Sequence, residues 1–129
     1  MIYGIGCDVV DIDRFAAKLA AHPGLLPRLF TPAEQQLPAR SLAARFAAKE
    51  AAIKALGGST IKNQNDSYDL SWHDLEVLPT QGQRPQFTAT AGLRRALQLS
   101  AVAKLHLSLS HDGNIAQAYV VAERSEEGQ

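Results

Sequence analysis

Residues 45–58 read RFAAKEAAIKALGG. Alanine fills much of the stretch, with Leu, Lys, Arg and Glu among the rest, residue types that lose little freedom in a helix. Gly57 and Gly58 then end it, because a helix C-terminus favours residues free to take positive φ. Ser41 is placed to cap its start. At about 100° per residue, Leu42, Phe46 and Ile53 fall within roughly 60° of one another and mark a core stripe. Glu50 falls inside that stripe or at its edge, an odd place for a carboxylate. Either Glu50 swings out to pair with Lys54 at i, i+4, for about 0.2–0.5 kcal/mol, or it faces a buried or interfacial cation, since an unpaired buried charge is costly.

Working towards the N-terminus, TPAEQQL carries a capping box, with Thr31 as cap, Pro32 at the first helical position and Glu34 three residues after the cap. A short helix is expected there, ending before Pro38. Upstream, RFAAKLAAH forms another short helix, capped by Asp11 or Asp13 and stopped by Pro23 and Gly24. The start, MIYGIGCDVVDI, is β-branched and glycine-punctuated and reads as a strand. Tyr3, Ile5, Cys7 and Val9 share one face, the expected core face, and Gly4, Gly6 and Asp8 share the other.

Towards the C-terminus, residues 58–69 read as a long polar loop of a length that is often functional. DLEVLP and RPQFTAT flank a turn around Gly82 and predict a hairpin. GLRRALQLS is an amphipathic helix. LHLSLSH alternates strictly, DGN supplies a turn and IAQAYVVAE returns, a second hairpin. Residues 124–129 are a polar tail expected to fray. The order strand, three helices, hairpin, helix, hairpin, without repeat or linker, predicts one α+β domain over residues 1–129, with helices packed on an antiparallel sheet.

Bulk composition narrows the function classes. A chain of 129 residues that is 46% hydrophobic folds as one soluble globular unit. Thirteen basic residues balance thirteen acidic ones, so no global charge points to nucleic acid or an anionic membrane. The single Cys7 excludes an internal disulfide, and no signal peptide or membrane span is read, which makes a reducing cytoplasm the expectation.

Asp8 repeats the puzzle of Glu50, because an ionised residue in IGCDVV is a poor strand former. It is either a cap at the strand's end or part of a site that Gly4 and Gly6 leave room for. Two carboxylates out of place point to one shared site, and oxygen ligands of this kind suit Mg²⁺ completed by water and phosphate oxygens better than they suit zinc. Arg45, Lys49 and Lys54 are cations that either meet phosphate or are simply solvated. Neither a Walker sequence nor a dinucleotide fingerprint is present. His111 and Asp112 at the hairpin turn either form a polar turn or act in acid–base chemistry, but no nucleophile elbow accompanies them, which discounts a hydrolase triad. Cys7 reads as small packing.

Three stretches taken together, GIGCDVVDIDRF, RFAAKEAAIKALG and SLSHDGNIAQAYVV, resemble the holo-acyl-carrier-protein synthase family of small 4′-phosphopantetheinyl transferases. The resemblance implies transfer of the phosphopantetheine arm of coenzyme A to a serine of apo acyl carrier protein, in support of fatty acid biosynthesis. It further implies Mg²⁺ (with Mn²⁺ as an alternative) on Asp8 and Glu50, and Lys54 on phosphate. Arg45, Lys49, Gly57 and His111 would lie around the coenzyme. Arg14, assisted by Arg28, would meet the acidic carrier protein. A homotrimer with sites at subunit boundaries is implied as well. The alternatives are a non-catalytic oligomeric module that binds nucleotide or carrier protein, and a metal-dependent phosphohydrolase acting on the same coenzyme.

Overall fold

A computed structural model describes residues 1–58, 70–79, 82 and 84–126. Strand β1 (Ile2–Asp11) leads into helices α1 (Ile12–Ala21), α2 (Leu25–Leu29) and the long α3 (Ala39–Ala55). The short strands β2 (Val77–Pro79) and β3 (Pro85–Phe87) come next, followed by helix α4 (Ala91–Leu99) and the long hairpin of β4 (Val102–Asp112) and β5 (Ile115–Arg124). Two antiparallel sheets result: β1-β5-β4, and the β2-β3 ribbon. The α+β class and both hairpins follow the sequence reading, while the expected loop over 58–69 lies almost wholly outside the described residues.

Local signals account for most element ends. Asp11 caps α1, its carboxylate accepting from the Arg14 N–H at 2.9 Å. Thr31 and Glu34 form the reciprocal capping box, with Thr31 N donating to Glu34 Oε1 at 3.0 Å and Glu34 N to Thr31 Oγ1 at 3.2 Å. The helix expected behind it is only a 3₁₀ turn, Glu34–Gln36. Helix α3 starts behind Pro38, whose extended backbone lets its carbonyl accept from Leu42 N at 3.0 Å, so Ser41 lies inside the first turn and caps nothing. At the other end Gly57 and Gly58 take φ of 104° and 99°, and the Gly58 N–H returns to the Ile53 carbonyl at 2.8 Å. Strand β5 reaches into the tail expected to fray, since Arg124 N donates to the Met1 carbonyl and Ser125 N to that of Ala101.

The packing of α3 corrects two expectations. Its contact surface is a sheath of alanines, with Ala43, Ala44, Ala47, Ala48, Ala51, Ala52 and Ala55 all buried, while Phe46 and Ile53 are only partly covered. Phe46 instead stacks on Phe15 and tilts against Trp72. The core face of β1 is also the reverse of the one expected. Ile5 and Val9 are more than half exposed, whereas Gly4 and Gly6 lie against the backbone of α3. A Cβ on Gly6 would come to 1.8 Å from the carbonyl oxygen of Ala51, and one on Gly4 to 2.0 Å from that of Ala55. Strand and helix therefore touch backbone to backbone, which only glycine permits.

Candidate active site

That close approach builds the site. Asp8 shares the glycine face of β1 and so stands at the seam with α3. Lys54, in the last turn of α3, reaches across the seam and donates to the Cys7 carbonyl at 3.0 Å and to Asp8 Oδ1 at 3.3 Å. Glu50, one turn earlier on the same helix, is half-buried and makes no hydrogen bond or ion pair among the described residues. The i, i+4 pair with Lys54, one of the two readings of Glu50, does not form, because Lys54 is engaged by Asp8. Burial holds the Glu50 carboxyl above its ordinary range, the charge of Asp8 pushes it further, and Lys54 only partly offsets them.

Two carboxylates near enough to feel each other's charge, with one lysine paired to Asp8, make a site short of positive charge. Among the described residues no group of three or more His, Cys, Asp or Glu could hold a metal, and Asp8 and Glu50 stand there as a pair of carboxylates. That is the donor set that fits Mg²⁺, which is commonly held by one or two carboxylates with substrate phosphates and water.

Arg45 is 7% exposed and its Nε has no hydrogen-bond partner. Burial lowers its affinity for its proton, and the nearby Glu34 counters this. A nearly buried guanidinium with an idle donor is consistent with an anion as partner.

Lys49 does not belong to the coenzyme surface. It is fully buried, and its ammonium donates to Glu34 Oε1 at 2.9 Å, to the Trp72 carbonyl at 2.9 Å and to the Leu75 carbonyl at 3.1 Å. With three donors and three protein acceptors, none is left for a phosphate. Glu34, also fully buried, accepts in addition from Val77 N at 2.9 Å. The pair ties the 3₁₀ turn, α3 and β2 together. Sequence reading missed it because Glu34 already had a complete explanation as a capping-box partner.

The remaining expected residues are spread out. Gly57 closes α3 with its N–H on the Lys54 carbonyl at 3.1 Å. His111 is exposed on β4; it pairs with Ala116 of β5, which pairs in turn with Val10 of β1. A whole strand thus separates it from the Asp8 seam within one chain. Asp112 pairs with Ile115 at the hairpin end. Arg14 and Arg28 are exposed on α1 and α2. An open cleft of about 290 Å³ lies elsewhere, between β3, α4 and the start of β4, lined in part by Arg84, Phe87, Arg94 and Lys104. The carboxylates are not in it.

A small α+β domain with paired carboxylates and a lysine at a strand–helix seam defines a class, and the comparisons agree: the family model of the 4′-phosphopantetheinyl transferase superfamily matches residues 4–122. Within that superfamily the chain belongs to the holo-acyl-carrier-protein synthase family. It is 50% identical over 123 residues to the holo-[acyl-carrier-protein] synthase of Clavibacter michiganensis subsp. michiganensis, covering 95% of this chain and 97% of the relative. The crystal structure of the holo-[acyl-carrier-protein] synthase from Neisseria meningitidis matches with a TM-score of 0.82 at 30% identity, over 96% of this chain and 100% of the other. That of the Helicobacter pylori enzyme in complex with coenzyme A matches with a TM-score of 0.75 at 28% identity, over 92% and 99%.

Proposed function

We propose that the chain transfers the 4′-phosphopantetheine arm of coenzyme A to a serine hydroxyl of apo acyl carrier protein, giving holo carrier protein and adenosine 3′,5′-bisphosphate in service of fatty acid biosynthesis. One observation carries this reading: Asp8, Glu50 and Lys54 meet at one seam in a chain of this family, with Glu50 unpartnered among the described residues. In the reaction the serine oxygen bonds to the phosphorus bearing the pantetheine arm. The bond from that phosphorus to the bridging oxygen breaks, and the electron pair stays on the departing bisphosphate.

Positioning and charge stabilisation dominate such transfers. Asp8 and Glu50 would hold Mg²⁺, or Mn²⁺ in its place, which when bound would neutralise the pyrophosphate. Lys54 leaves Asp8 and stabilises the departing phosphate oxygen. Arg45 turns its idle donor to phosphate. The serine proton passes through a water to Glu50, or to Asp112 with His111. Arg14 and Arg28 meet the acidic surface of the carrier protein.

The assembly is a homotrimer with sites at subunit boundaries. The outer face of the β1-β5-β4 sheet supports this, because Ile5, Val9 and Tyr119 are each more than half exposed on one face. A neighbour would then supply the His111 that one chain keeps away from Asp8. A cytoplasmic location accords with the lone free Cys7 and with the absence, among the described residues, of a helix long and apolar enough to cross a membrane. The decisive experiment incubates the chain with coenzyme A, Mg²⁺ and apo carrier protein and weighs the carrier. A gain equal to the arm supports transfer. An unchanged mass leaves a binding module, and bisphosphate released without carrier marks a phosphohydrolase.

A further inference from the structure

Asn114 stands in the turn between β4 and β5, beside Gly113 with φ of 58°. Its contacts run away from its own hairpin. The backbone carbonyl accepts from Ile12 N at 2.8 Å, Oδ1 accepts from Asp13 N at 3.2 Å, and Nδ2 donates to Asp11 Oδ1 at 2.8 Å. Asp11 Oδ1 also takes the Arg14 N–H at 2.9 Å. The first three N–H groups of α1, which no helix can satisfy internally, are thus met by two residues. Asn114 takes two of them and holds the carboxylate that takes the third. The Arg14 N–H and, after it, the Asn114 amide keep the Asp11 carboxyl below its ordinary range against the opposing pull of desolvation.

This junction is where three parts of the proposed machinery meet. Strand β1 arrives from Asp8, α1 departs with Arg14 in its first turn, and the hairpin brings His111 and Asp112. Because α1 is joined to β1 directly, with no intervening loop, the bonds of Asn114 fix the angle at which the helix leaves the sheet.

We propose that Asn114 is a positioning residue for the carrier protein: by fixing the start of α1 on the β4–β5 turn, it sets where a carrier docked at Arg14 offers its serine to the Asp8–Glu50 seam. This rests on the transferase reading. It separates binding of the two substrates, since Lys54 and Arg45 lie on α3, and His111 is held by its pairing with Ala116 rather than by the Asn114 side chain.

The test is steady-state transfer with each substrate varied in turn. Asn114→Ala raises KM for the carrier protein about five-fold, the worth of one to two ordinary hydrogen bonds, and leaves KM for coenzyme A unchanged. Asn114→Asp keeps the shape and the acceptor for Asp13 N but cannot donate to Asp11, and it too raises the carrier KM without changing KM for coenzyme A. A purely structural role would not give the split between substrates. The proposal is overturned if Asn114→Ala or Asn114→Asp leaves the carrier KM unchanged, or if both KM values rise together. Absence of transfer by the unaltered chain is a separate result and overturns the transferase reading, and this proposal with it.

Discussion

Lys54 Nζ lies 3.3 Å from Asp8 Oδ1, so the last turn of α3 is pinned across the seam to β1. The lysine is half exposed, which keeps the net worth of the pair small. Its consequence is electrostatic: a cation occupies the place where phosphate and metal charge would gather, and Glu50 beside it is left without a partner among the described residues.

Glu50→Gln should abolish metal-dependent transfer, with a loss of at least about 10²-fold in kcat, while the fold persists. The same substitution should stabilise the chain near neutral pH. The folded state holds the Glu50 proton to higher pH than the unfolded chain, whose carboxyl titrates near 4.5. Between those two values the folded state binds more protons, so stability falls as pH rises and stays lower above them. Thermal melts of the unaltered chain and the Glu50→Gln variant should coincide below pH 4.5 and separate in favour of the variant at neutral pH.

Burial and the charge of Asp8 raise the Glu50 carboxyl when no cation is bound, so protons and Mg²⁺ compete for it. The Mg²⁺ concentration that gives half-maximal transfer should rise on acidification, and saturating Mg²⁺ should move the acid limb to lower pH. pH–rate profiles at limiting and at saturating Mg²⁺ check this. Chelation with EDTA should stop transfer, and added Mg²⁺ should restore it.

Lys54→Met should lower kcat about 10²-fold, the usual cost of one donor to developing charge, with little change in melting temperature. Single-turnover transfer from coenzyme A measures it.

Lys49→Met should act differently although it lies in the same helix. It strands the buried Glu34 carboxylate, which should cost about 3–5 kcal/mol in urea unfolding. If Lys49 met coenzyme instead, its loss would raise KM for coenzyme A and spare stability.

Gly6→Ala would drive a methyl group into the Ala51 carbonyl. Relief requires β1 to move off α3, so a loss of about 3 kcal/mol should come with reduced transfer, because the same shift parts Asp8 from Glu50. Denaturant melts and the transfer assay on one preparation test both halves.

Much of this was legible in one dimension. Propensity and glycine stops give the body and end of α3, alternation gives the β4–β5 hairpin, and two carboxylates in uncongenial places mark Asp8 and Glu50. The capping box at Thr31 and Glu34 and the Asp11 cap rest on contacts within a few residues, which is why they could be read. What failed rests mostly on distant partners. Ser41 seemed a cap only because the carbonyl of Pro38 carries no sequence signal.

The sequence by itself determined which segments become helix and strand and which residues are chemically out of place. Tertiary structure decided which face of β1 is inside and which lysine of α3 reaches the Asp8 seam. Gly4 and Gly6 contribute no apolar signal, so periodicity assigns the core to Ile5 and Val9; yet the missing Cβ atoms are what let α3 approach, and the larger side chains are left outside. Lys49 and Lys54 are the same residue type on one helix. One meets a buried Glu34 brought from fifteen residues away and becomes structure, the other meets Asp8 from forty-six residues away and stands at the seam of the carboxylates, and only the fold supplies those partners.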